Sequence, residues 1–161
     1  MAALWRDLHP RLLRYFRASL ADGSGEDLAS DVWLETAQGL GRFEGDEQAF
    51  RRWVFTIARR RVIDSTRKQR RRRTDALDPV ILAALPVAGT DEAERRRALD
   101  AALARIAALP ADQAQVILLR VLADLSVEGT ANVLGKRAGA VRVLQHRALR
   151  KLAAQGHAAE L

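Results

Sequence analysis

Asp46 to Arg73, DEQAFRRWVFTIARRRVIDSTRKQRRRR, carries an apolar stripe with helical spacing straight into a dense run of arginines. Phe50, Trp53, Val54, Ile57, Ala58 and Val62 recur at intervals of three and four, which places them on one buried face of a helix that opens at Asp46 as its N-cap. The other face is cationic. Arg51, Arg52, Arg59, Arg60 and Arg61 lie on or beside it, and Arg67, Lys68 and Arg70 to Arg73 follow with only Asp64 between them. Such a helix can seat one side in a core and offer the other to a polyanion, each phosphate contact releasing a counterion. A basic face that is merely solvated is the competing reading.

Composition narrows the partner. A chain of 161 residues with 48% hydrophobic and 29% charged residues supports packed cores in one domain or two small ones, and few aromatics (5%) beside many Ala and Leu favour helix over sheet. The net charge of +7 and sequence pI near 11.0 point to nucleic acid or another acidic surface. With no cysteine there is no disulfide and no thiolate metal site, which fits a reducing compartment. Met1 to Pro10 contains Trp5, Arg6, Asp7 and His9, so it lacks the apolar core of a signal peptide. No segment approaches the roughly 20 apolar residues of a membrane span.

Working outward toward the N-terminus, Leu4, Leu8, Leu12, Leu13 and Phe16 mark a first amphipathic helix, with Pro10 tolerable if the main helix starts near it or bends there. Asp22-Gly23-Ser24-Gly25 ends it. A second helix opens at Ser24 to Asp27, with Leu28, Val32, Trp33, Thr36 and Leu40 on its apolar side and Asp27, Asp31 and Glu35 four apart on another. Gly39, Gly41 and Gly45 then bracket Arg42 and Phe43, a loop whose aromatic either folds onto the core as a lid or receives an unstacked base.

Toward the C-terminus, regularity fades from Thr74 to Glu94. Asp78-Pro79, Leu85-Pro86 and Gly89-Thr90-Asp91 punctuate this stretch, and the apolar run Val80 to Leu85 is long enough for a turn or two of helix. The expected organisation is therefore all-α: a helical domain over residues 1–73, a linker over 74–94, and a second helical domain over 95–161. In the second, Leu99, Ala102, Leu103 and Ile106 form a stripe that stops at Leu109-Pro110. Asp112 is placed to cap the next helix, which carries Val116, Ile117, Leu119 and Leu122, with Arg120 on a solvated or partner-facing side. Two short helices follow, Ser126 to Leu134 and about Ala138 to Leu152, joined by Leu134-Gly135-Lys136-Arg137. Small Ala131, permissive Gly135 and apolar Val141 give the helix-turn-helix spacing, whose second helix enters the major groove. Arg142, Gln145, His146, Arg147, Arg150 and Lys151 supply donors for guanine edges, adenine edges and phosphates.

The ordered set resembles the extracytoplasmic-function group of bacterial sigma-70-type initiation factors. The matching residues are Glu26-Asp27-Leu28 with Asp31; Arg42 to Asp46; Phe50 with Trp53 to Arg59; Leu109-Pro110; and Gly139 to Arg142 with His146-Arg147-Ala148. The resemblance implies a subunit that binds core RNA polymerase and directs it to promoter DNA, acting in the cytoplasm with no catalytic chemistry, cofactor or metal of its own. It implies that Asp27, Asp31, Trp33 and Glu35 meet the clamp helices of the largest polymerase subunit, with the polymerase flap as a second contact. It places Phe43, Ile57, Arg60 and Asp64 at the minus-10 element, where a base is extruded. Arg142, Val143, His146, Arg147 and Arg150 would read the minus-35 duplex. An anti-sigma factor is a further partner that the resemblance leaves open. Ser30 stands where glutamine is more usual, Thr130 and Lys136 stand where apolar residues are, and Leu144-Gln145 reverses the polarity of the usual pair.

Three other functions compete: a stand-alone helix-turn-helix regulator, an enzyme acting on nucleic acid, and an interaction protein that occupies a sigma-like surface. The regulator leaves the acidic helix and the aromatic loop idle. The enzyme finds His9, His146 and His157 scattered, with no carboxylate cluster at metal-ligand spacing and no phosphate-cradling glycine loop.

Overall fold

The computed structural model describes residues 2–75 and 91–159, all in helices and the turns between them. The helices are α1 (Ala2–Ser19), α2 (Gly25–Gly39), α3 (Glu47–Asp75), α4 (Asp91–Ala107), α5 (Ala111–Val121), α6 (Val127–Leu134) and α7 (Ala138–Ala159), with one 3-10 turn at Leu40–Arg42. The all-α expectation holds, with the helix-turn-helix in the second unit. Val80 to Leu85 and the proline pairs around it lie outside the described residues.

Local chemistry sets most boundaries. The α1–α2 turn uses Gly23 at φ +73, and the Asp22 carboxylate accepts from the Ser24 backbone N–H. The Asp46 carboxylate accepts from the Ala49 N–H at 2.9 Å and so caps α3 as its sequence suggested. Ser126 Oγ accepts from the Gly129 N–H at 2.9 Å at the start of α6, and Gly135 ends that helix in the left-handed region. Two expectations change. Helix α1 begins at Ala2 and runs through Pro10, which leaves the Arg6 carbonyl without its usual donor. Pro110, not Asp112, is the N-cap residue of α5; Asp112 sits in the first turn, where its charge suits the helix dipole.

The apolar faces of α1, α2 and α3 meet in the largest core. Tyr15, Phe16, Phe55, Leu8, Leu12, Val32 and Val54 are all fully buried, and Tyr15 meets Phe55 edge to face with centroids 5.5 Å apart. Each such side chain contributes about 1.5–3 kcal/mol by leaving water. The same cluster takes in Leu103, Leu118, Leu119, Leu122, Ala123 and Leu125 from the second unit, so the two helical units pack directly on each other. The helix-turn-helix keeps small cores of its own: Val116, Ala131 and Val141 in one, Leu109, Ala114, Ile117 and Ala148 in another.

Arg51 is a correction to the cationic face. Its side chain is buried, and it donates to Asp7 at 2.8 Å and to Glu47 at 2.6 Å, locking the start of α3 to α1. The hydrogen bond from Arg51 is the main reason the Asp7 carboxyl is held below the usual carboxylate range. A guanidinium can sit this deep because carboxylates meet it there.

Candidate nucleic-acid interface

The glycine-bracketed loop folds back on α3. Phe43 stacks on Trp53, with centroids 5.1 Å apart and planes 7° apart, and meets Phe50 edge on at 5.4 Å. Gly39 makes this possible, since a β-carbon there would fall 2.6 Å from the Trp53 ring. Phe43 and Trp53, both half-buried, line a groove of about 660 Å³ together with Arg42, Glu44, Arg52, Thr56 and Asn132, so its two arginines face one carboxylate. Stacked rings beside guanidinium groups can hold an unpaired base and its phosphate. From Arg52 and Thr56 in the groove, Arg60 and Arg67 continue along the exposed side of α3.

Of the residues assigned to the minus-10 element, Phe43 lines the groove, and Arg60 and Asp64 are exposed farther along α3. Ile57 is corrected: at 3% exposure it belongs to the core, because its place in the apolar stripe points it inward. Its contribution is support for the helix, not contact with a strand. Arg52, Trp53 and Thr56, which line the groove, were not singled out as site residues from sequence. The signal was present, because Arg52 and Thr56 are four apart on the side opposite the stripe.

On α2, Asp27 and Asp31 are exposed while Glu35 and Trp33 are partly covered. Glu35 forms ion pairs with Arg60 and Arg61, the latter at 3.0 Å. The hydrogen bond from Arg60 chiefly keeps the Glu35 carboxyl below its ordinary range. Residues assigned to different partners, Glu35 and Arg60, are thus joined to each other. Trp33 donates its indole N–H to His9 Nδ1 at 3.0 Å, and Trp5 stacks on His9. These three rings form a cluster that the sequence reading did not assemble, although Trp5 and His9 are four apart on one helix face.

The second unit places α7 across its small core with Arg142, Val143, His146, Arg147 and Arg150 all exposed. Val143 is 49% exposed, unusual for a valine and suited to contact with a thymine methyl. Arg142 pairs with Glu128 at 3.0 Å. The Leu144-Gln145 departure now has a physical account. Leu144 packs against the Val116, Ala131 and Val141 cluster, while Gln145 turns inward and accepts from Arg120 Nε at 3.1 Å. Arg120 also donates to the Leu125 carbonyl, so it is not on a solvated face. Leu149, 51% exposed, does not fill the core. Lys136 pairs with Asp112 at 3.0 Å, which explains a charge at a turn position that is otherwise apolar. Thr130 is fully buried, and among the described residues its hydroxyl has no hydrogen-bond partner.

Among the described residues no group of His, Cys, Asp or Glu could hold a metal ion, and no helix is long and apolar enough to cross a membrane. The chain matches the family models Sigma-70 region 2 over residues 4–72 and Sigma-70, region 4 over residues 99–152. It is 36% identical to the ECF RNA polymerase sigma factor ShbA of Streptomyces griseus over 91% of this chain and 82% of that protein. It is 33% identical to the ECF RNA polymerase sigma factor SigD of Mycobacterium tuberculosis, over 90% of this chain and 71% of SigD. Its fold is similar to that of CnrH bound to the cytosolic domain of CnrY, with a TM-score of 0.67, 21% identity and coverage of 98% of this chain and 87% of CnrH. It is equally similar in fold to the sigma factor RpoE bound to the anti-sigma factor NepR from Bartonella quintana, with a TM-score of 0.67, 22% identity and coverage of 92% and 91%. An acidic helix, an aromatic groove and a helix-turn-helix in this order, with two family segments and relatives that span most of the chain, lead to one assignment: the chain belongs to the extracytoplasmic-function group of RNA polymerase sigma factors.

Proposed function

We propose that the two basic surfaces divide promoter recognition between them. The groove of Phe43, Arg42, Arg52 and Trp53 takes a base displaced from the minus-10 element, and Arg60 and Asp64 border the strand as it leaves. Unstacking a base costs a few kcal/mol. Stacking on an aromatic platform returns about 1–3 kcal/mol, and the arginines add phosphate contacts. Helix α7 reads the minus-35 duplex through Arg142, Arg147 and Val143, with His146 and Arg150 beside them. Asp27 and Asp31 on α2, with Trp33 and Glu35, meet the clamp helices of core RNA polymerase, and the second unit meets the flap. The chain supplies no catalytic group; phosphodiester synthesis belongs to the polymerase. This work is cytoplasmic, and an anti-sigma factor is a fitting regulator.

One observation carries this reading. A single chain joins a stacked-aromatic groove rimmed by arginines to a helix-turn-helix whose second helix leaves its base-reading donors exposed. A plain regulator needs only the second. The test mixes the purified full chain with core polymerase and genomic fragments in run-off transcription. Co-elution with polymerase and transcripts that start at defined positions are expected. Duplex binding without either would favour the regulator.

A further inference from the structure

The groove of Phe43 and Trp53 carries a carboxylate that holding a ring and a phosphate does not require. Glu44 shares its lining with Arg42 and Arg52. All three are exposed, and none of them forms an ion pair among the described residues. In this they differ from Arg51, Arg60 and Arg61, whose charges are already met by acids.

The backbone fixes where this carboxylate stands. Phe43, before it, stacks on Trp53, and its N–H donates to the Leu40 carbonyl at 3.1 Å. Gly45, after it, has φ +145, and a β-carbon there would fall 2.7 Å from that of Ala49. Asp46 then caps α3. Glu44 is therefore pinned on both sides, next to the stacked rings.

An ionised carboxylate only accepts hydrogen bonds, and a guanidinium only donates them. Thr56 adds little, because its hydroxyl already donates to the Arg52 carbonyl at 2.7 Å. The Asn132 amide can do either and expresses no preference. A base held on the rings is read along its edges, so this groove favours one with two adjacent donors on one edge and acceptors on the other. Guanine meets both conditions. Its N1–H and 2-amino group lie side by side at the spacing of two carboxylate oxygens, and its O6 and N7 are the acceptors that arginine takes as a pair. Adenine and cytosine offer one amino group next to a ring acceptor. Thymine offers one N–H between two carbonyl oxygens, both of which a carboxylate repels.

We propose that Glu44 makes the groove selective for guanine, accepting from N1–H and the 2-amino group of the displaced base while Arg42 and Arg52 serve O6, N7 and the adjoining phosphate. The inference rests on the groove being the site of the displaced base, and it names which base that site takes.

The test combines the full chain with core polymerase on a pre-opened promoter duplex identified by run-off transcription. Each position of the displaced strand in the minus-10 element carries each of the four bases in turn. At one position guanine should bind about ten-fold tighter than the other bases, within the range of a bidentate base contact. Hypoxanthine at that position lacks only the 2-amino group and should bind about three-fold or more weaker than guanine. Glu44→Gln, at an exposed site, should bring the four bases to within about two-fold of one another there. The inference is overturned if no position prefers guanine, or if the preference survives Glu44→Gln. Phe43→Leu tells two kinds of failure apart. If it weakens binding of every base at one position while guanine has no advantage, the groove holds the base and only the role of Glu44 falls. If it changes nothing, the groove is not the strand site, and both readings fall.

Discussion

The aromatic groove on α3 and the reading face of α7 are both arginine-rich, yet their arginines are deployed in opposite ways. Near the groove, Arg51 is buried between two acids, and Arg60 and Arg61 are bound to Glu35. On α7, Arg147 and Arg150 form no ion pair among the described residues, and only Arg142 is held, by Glu128. Support is reversed as well. The groove stands on the largest core of the molecule, whereas the first half of α7 rests on Val116, Ala131 and Val141. Counting charges therefore overstates the available cation on α3. On α7 the donors are available, but a slim core fixes their register.

The largest effect that would break this contrast is at Trp53. Trp53→Ala removes the ring under Phe43 and should lower stability by about 3 kcal/mol, the low end for a large aromatic because the ring is half-buried. Urea unfolding measures this, and a loss below about 1 kcal/mol would mean the loop does not depend on the stack. On α7, Arg147→Ala should reduce discrimination between single base-pair variants of the upstream element by about 2 kcal/mol. Gln145→Ala should change it by no more than about 0.5 kcal/mol, because that amide is engaged with Arg120. Competition titrations with mutated duplexes separate the two, and equal effects would place Gln145 on the reading face after all.

Gly135→Ala comes next. At φ +62 a β-carbon strains the turn, and about 1 kcal/mol of stability should be lost on thermal unfolding. Unchanged melting would show that the turn relaxes. The smallest effect is acidic. Glu35 and Asp7 have lowered pKa values in the folded chain, so their contribution is complete above the ordinary carboxylate range and is lost as pH falls through the lowered values. Stability should be level from neutrality to about pH 5 and decline below about pH 4. Both side chains are a third or more exposed, so each accounts for only a few tenths of a kcal/mol, roughly. Glu35→Gln should flatten part of the decline.

These results also mark where sequence was sufficient. The helices, the Asp46 and Ser126 caps and the Gly135 turn were legible because each depends on a repeat or a cap within a few residues. Arg51 was not, because an arginine beside an apolar stripe reads as surface until Asp7, 44 residues away in the chain, is placed beside it. Ile57 was drawn to the DNA by its neighbours in the motif, although its spacing had already put it on the buried face. Leu144 and Gln145 could be ordered only once α5 supplied both the Val116 surface and Arg120. Packing between the units was invisible for a similar reason: Leu122, Ala123 and Leu125 satisfy a local core as readily as a distant one.

Where the two units pack together, the Tyr15 hydroxyl donates to Gln115 Oε1 at 2.7 Å and joins residues 100 positions apart. During synthesis the apolar side of α1 therefore leaves the ribosome long before Leu122 and Leu125 exist to cover it. The nascent first unit must assemble from α1, α2 and α3 with that side still wet. Contacts of such sequence separation pay their loop-closure entropy before any reward, and they slow the final step of folding. Until translation has passed Leu125, the growing polypeptide presents an adhesive face, and that interval is when a chaperone would matter most to it.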